Sequence, residues 1–147
     1  MITSNYLKSI LPELEEFNNI EIDFHIQTAE GYDGVIALLE NIRTTNFPCL
    51  VIEDRSMGNI AVDAGPLDTY SIPLWVMVQD PEKSPTEQFK KAFELVKKIL
   101  KILIRDADND IIKGLDYSRI PYNKRTAIDS FGYEILLTFR MDIDLSS

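Results

Sequence analysis

The stretch FGYEILLTFRMDIDL, Phe131 to Leu145, is apolar at every odd position: Phe131, Tyr133, Ile135, Leu137, Phe139, Met141, Ile143 and Leu145. The even positions are Gly132, Glu134, Leu136, Thr138, Arg140, Asp142 and Asp144. Successive side chains of a strand point to opposite faces, so this period of two predicts a strand with one dry face. At about 3.4 Å per residue it would reach about 50 Å, whereas strands of small domains ordinarily stop after about six residues. Such a ribbon needs a large apolar surface to cover it.

That surface is found upstream. SPTE at 84–87 is a helix start: Ser84 as cap, Pro85 in the first helical position and Glu87 three residues after the serine. The helix over about 85–105 sets Phe89, Phe93, Val96, Leu100 and Leu103 on one stripe, widened by Ala92, Leu95, Ile99 and Ile102, with Lys90, Lys97, Lys101 and Arg105 opposite. Glu87 with Lys91 and Glu94 with Lys98 are spaced for favourable pairs along it. Elsewhere the pattern predicts a helix over 3–17, kinked or split at Pro12, a strand over Ile20 to Gln27 with His25 on its wet side, and a helix over Val35 to Arg43. Further expectations are a buried strand in FPCLVIED (Phe47 to Asp54), a hairpin arm or mobile loop over 55–69, and a strand Tyr70 to Val78 whose Pro73 hints at an edge or bulge. A strand near Leu115 to Ile120 is expected to pair with the long final one. The order predicts one α+β domain over residues 1–147, a largely antiparallel sheet with helices packed on one face.

Several function classes are disfavoured. No apolar run approaches the roughly 18 residues of a membrane span, and MITSNYLKSILPELEEF lacks the plan of a secretory signal, so cytosolic synthesis is expected. Residues 1–80 carry 13 acids against Lys8, Arg43 and Arg55, while residues 81–147 carry 12 basic residues against 11 acids, for a total charge of −9. Such a chain repels a phosphate backbone, so no direct nucleic-acid binding is expected. Cys49 is the single cysteine, which excludes an intrachain disulfide and reads as a buried small hydrophobe. His25 is the single histidine, without a serine or cysteine motif to complete a triad, and the six glycines build no phosphate loop. DADND, Asp106 to Asp110, starts like a calcium loop but has Ile111 and Tyr117 where glycine and glutamate belong, so it reads as a solvated helix terminus. Trp75 reads as core. No catalytic residue, cofactor or metal site is assigned, and the chain is expected not to be an enzyme. An enzyme of unrecognised type would have to gather Asp142, Asp144 or His25 in a polar pocket.

One segment reads as contact surface. YSRIPYNKR interleaves Arg119, Lys124 and Arg125 with Tyr117, Ile120, Pro121 and Tyr122 in an otherwise acidic chain, and tyrosine and arginine are the types that anchor interfaces. Met57 in the arm and Asp142 and Asp144 on the last strand complete the protein-interface candidates. An acidic first half and a nearly neutral second half favour head-to-tail contact between copies, the geometry of rings and tubes.

The order YSIPLWVMVQDP, then the capped helix EQFKKAFELVKKILKILIRD, then FGYEILLTFRMDID, resembles the tail-terminator, tail-completion and neck (head-tail joining) proteins of long-tailed bacteriophages and prophages. The likeness covers roughly residues 47–145 and rests on element order, so it carries over no functional residue. It implies a non-enzymatic virion-assembly protein that forms an oligomeric ring, commonly of six copies, with other tail or neck proteins as partners. It also implies a place in the bacterial host cytoplasm during assembly and then in the virion or a phage-like particle. The alternative is a monomeric or dimeric adaptor or regulatory domain that binds another protein.

Overall fold

The computed structural model describes residues 4–18, 20–42, 44–53, 57–61, 67–108, 116–124 and 130–142. The alternating ribbon is a strand over Ser130–Asp142 (β6, the last of the six described strands), the expected positions 143–145 lying outside the described residues, and over 131–137 its odd face is turned inward: Phe131 is buried, Tyr133 half-buried, and Ile135 and Leu137 fully buried. Lying on that face is the long helix Pro85–Asp108 (α3), 24 residues and about 36 Å at 1.5 Å per residue. Phe89 meets Phe131 edge-on at 5.3 Å and Tyr133 at 5.9 Å, and Phe93 meets Tyr133 at 5.9 Å. Ala92, Leu95, Val96, Ile99, Leu100, Ile102 and Leu103 complete the buried stripe. Ser84 caps the helix, its hydroxyl accepting the Glu87 amide at 3.2 Å.

The sheet contains β1 (Ile26–Ala29), β2 (Cys49–Glu53), β3 (Met57–Ala61), β4 (Leu67–Val78), β5 (Asp116–Lys124) and β6, in the order β1-β2-β4-β6-β5 with β3 also on β4. Among the described strands only the β1–β2 pairing is parallel. β4 and β6 pair without interruption from Leu67↔Asp142 to Val78↔Phe131. Gly132 permits this close approach, because a Cβ there would lie 1.9 Å from the Val76 carbonyl oxygen. The expected strand near 115–120 is β5, and it does pair with β6.

Pro73 marks a seam. Ile52 stands opposite Leu74 and Met57 opposite Ser71, so the β2–β3 side advances five residues while β4 advances three. The β2 and β3 registers on β4 therefore differ by two residues, and the change falls at a proline that has no amide proton to offer a ladder. Of the arm expected over 55–69, Met57–Ala61 is β3, paired to Leu67–Ser71 of β4, and residues 67–69 are the start of β4; residues 55, 56 and 62–66 lie outside the described residues.

Two helices lie on the α3 side and one on the other. The first, Ser4–Ile10 (α1), puts Leu7 and Ile10 into the core beneath α3, together with Leu11 and Phe17 from two 3-10 turns, Leu11–Glu13 and Glu15–Phe17, that follow where Pro12 breaks the helix. The helix Gly31–Asn41 (α2) packs Val35 and Leu39 against Cys49, Val51, Trp75 and Met77 on the opposite face. The α+β architecture is therefore as expected, but helices on a single face hold only for α1 and α3. Continuous burial along β2 follows, with Leu50 and Ile52 facing one core and Cys49 and Val51 the other.

The expected strand from Ile20 is instead a 3-10 turn, Ile22–Phe24, running into β1. The turn resets the parity: Phe24 is 56% exposed, whereas His25, expected on the wet side, is buried with Nδ1 2.9 Å from the Pro48 carbonyl oxygen. Among the described residues no helix is long and apolar enough to cross a membrane.

Candidate protein interface

Pairing makes β5 one lateral end of the strand order, and a proline on an edge strand removes a donor without breaking the sheet. Of the interface candidates, Tyr117, Arg119, Tyr122 and Lys124 lie on β5, opposite Leu137, Ile135, Gly132 and Ser130 respectively. They fall in both parities of the strand, so they share one edge of the described sheet and not one face. Met57 begins β3, opposite Ser71, and Asp142 ends β6, opposite Leu67. β5 reaches only Thr138 on β6, which leaves Asp142 four residues farther along and about 13 Å from the nearest end of β5. The structure thus groups four candidates on one edge, sets Met57 beside Ser71 near the middle of the β4–β6 ribbon, and places Asp142 at its outer end. Arg125 and Asp144 lie outside the described residues.

The acidic helix terminus is more than a solvated end. Asp106 is only 4% exposed and accepts hydrogen bonds from the Tyr6 hydroxyl and from Arg105, at 3.2 Å from Nε and 3.1 Å from Nη2. Arg105 also grips both Glu13 carboxylate oxygens, at 2.7 and 3.1 Å. Burial, reinforced by the bond to Asp106, pushes the Tyr6 phenol above its ordinary range, and the Arg105 bonds hold Glu13 below the usual carboxylate range. Farther along, Glu16 meets Lys98 at 2.5 Å; burial raises its affinity for a proton, yet the bond from Lys98 with its other hydrogen bonds prevails and the carboxyl lies low. These contacts strap the N-terminal segment to α3. The helical pairs expected from spacing are diverted: Lys91 stands 3.7 Å from Asp80, Lys98 reaches Glu16, and Glu94 pairs with Lys97 at 2.7 Å. Tyr6 and Asp106 are 100 residues apart, so no local pattern could announce their bond.

Chemistry has little footing among the described residues. No group of three or more His, Cys, Asp or Glu side chains is placed to hold a metal ion. Cys49 is fully buried, and burial pushes its thiol up to about 12. A cleft of about 210 Å³ between the N-terminal segment and α3 is lined by Glu16, Phe47, Pro48, Val78, Gln79, Lys91 and Leu95, with no nucleophile and base side by side, and it is smaller than ordinary ligand pockets. Gln88 serves the turn before α3, donating to the Lys83 carbonyl at 3.1 Å and accepting the Asp80 amide at 2.9 Å. Comparison with known proteins finds no family model and no curated protein that matches the chain.

Proposed function

We propose that this chain is a non-enzymatic structural subunit of a phage-like tail or neck, assembled by head-to-tail contacts between copies into a ring and joined there to other tail or neck proteins. The observation that carries the reading is the β4–β6 ribbon, whose strands of 12 and 13 residues are about twice the ordinary length. Its outer half carries the β3 arm, while its inner half is sealed under α3. Sheet of this extent, with margins at β5 and β3, offers backbone and side chains to a neighbour. The resemblance in element order and the charge difference between the two halves of the chain point the same way. Such a subunit works through surfaces alone, in the host cytoplasm during assembly and afterwards in the particle.

Size-exclusion chromatography with light scattering over a rising concentration series, followed by negative-stain electron microscopy, tests the proposal. A closed ring of defined copy number is expected. A monomer mass at every concentration would sink it and leave the adaptor reading in its place.

A further inference from the structure

We infer that the contact between copies joins the β5 edge of one molecule to the β1–α2 end of the next, continuing the sheet through an antiparallel joint. This rests on the ring reading above and names the two surfaces it needs. β1 and β5 are the two ends of the strand order. β1 is parallel to β2, and each step from β2 to β4, β6 and β5 is antiparallel, so β1 and β5 run in opposite directions. A second copy moved sideways without being turned over therefore sets its β1 antiparallel to the first copy's β5, the more stable form of ladder. The operation is heterologous and repeats at each joint.

Charge selects this joint over its symmetric rivals. Residues 20–42, which build β1, the turn before it and α2, contain five acids and no lysine or arginine. Glu21, Glu30 and Asp33 are exposed there. β5 carries Arg119 and Lys124 against the single Asp116. Pairing β5 with β5 would set like cations together, and pairing β1 with β1 would set acids together, whereas β5 on β1 joins opposites. The receiving end also has an apolar seat: two adjoining shallow hollows of about 450 and 420 Å³ share Asn41 and Asn46, with Leu38 and Ile42 in one and the exposed Phe24 in the other. The strand proposed to meet it contributes Tyr117, Ile120 and Tyr122 to the sequence of the edge. An apolar centre within a charged rim is the ordinary anatomy of a specific interface.

Charge reversal tests the pairing. In a chain bearing Arg119→Glu and Lys124→Glu, or one bearing Glu21→Lys and Glu30→Lys, like charges meet at every joint, and the concentration for half-assembly is expected to rise at least tenfold. The chain with all four reversals restores opposite charge and is expected to assemble again. Circular dichroism melts establish that each variant is folded. As a second measurement that needs no reversal, a Thr28→Cys chain mixed with an Asn123→Cys chain is treated with a flexible bismaleimide, which is expected to give a cross-linked dimer from the mixture and none from either chain alone. Wild-type rings that persist in both double variants, a fourfold variant that stays dispersed, or no cross-link from the mixture would overturn this assignment while leaving the ring reading intact. A wild-type protein that never assembles would overturn both.

Discussion

Replacing Tyr6 with phenylalanine removes one oxygen from the strap between the N-terminal segment and α3 and leaves the ring packed where it is. Asp106 sits near the C-terminus of α3, where the helix dipole disfavours a negative charge, so its donors matter more than they would in water. At 4% exposure the carboxylate has little water to replace a lost donor. A hydrogen bond to a charged group contributes about 1.5–3 kcal/mol, and Arg105 retains its own bonds to Asp106, so about 2 kcal/mol of destabilisation is expected for Tyr6→Phe. With a urea slope near 1.5–2 kcal/mol/M, the unfolding midpoint should fall by about 1 M. A double-mutant cycle with Asp106→Asn isolates the pair, and a coupling of at least about 1 kcal/mol is expected. There is also an alkaline signature. The phenol ionises near 10.0 in the unfolded chain and at higher pH in the fold, so its contribution is complete below pH 10 and is lost as pH rises through the folded value. Tyr6→Phe should flatten that alkaline loss. A midpoint within about 0.2 M of wild type, with no coupling to Asp106, would refute the reasoning.

Gly132→Ala should destabilise the fold by about 3 kcal/mol or more in chemical denaturation, because the added carbon meets a backbone carbonyl oxygen at 1.9 Å and β4 and β6 must separate to admit it; a stability equal to wild type would show that the strands yield freely. Cys49 should resist thiol reagents at pH 8 for as long as the protein stays folded and react at once in denaturant, since it is fully buried and its thiol titrates near 12; labelling at the rate of a free thiol in the native protein would contradict its placement. Glu13 and Glu16 have folded values below the ordinary 4.5, so their contribution is present above pH 4.5 and fades as pH falls through the lower folded values. Acid titration followed by hydrogen exchange should therefore release Ser4–Phe17 before the β4–β6 ribbon, and simultaneous release would argue against a separable strap.

What was legible in the sequence was local. The period of two in β6 and the SPTE cap of α3 each need only a few neighbouring residues; the cap stands in the fold, and so does the strand over the described part of its expected span, to Asp142. Pro73 marked its seam for the same reason, a missing amide proton. Features set by distant partners were not legible. His25 is buried because the chain turns at Ile22–Phe24 and brings it beneath Pro48, and Asp106 is buried because Tyr6 arrives from the other end of the chain. The amphipathic pattern of α2 told which of its sides is apolar but not which side of the sheet it would cover. One signal for that was present: the unbroken run Leu50, Val51, Ile52 is what a strand covered on both faces looks like. Among the interface candidates, the basic and aromatic segment was visible as composition. Its place at a sheet margin depended on pairing with β6, which no single segment reveals.

The step in register at Pro73 divides in two the margin of β4 that meets β2 and β3, while the margin that meets β6 runs through unbroken. Residues 74–77 are zipped to β2 inside the double core, while residues 67–71 are zipped to β3, and the two zippers do not share a common phase. Peeling β3 away can therefore halt at the proline, so an arm could be lent to a neighbour while the core beneath stays shut.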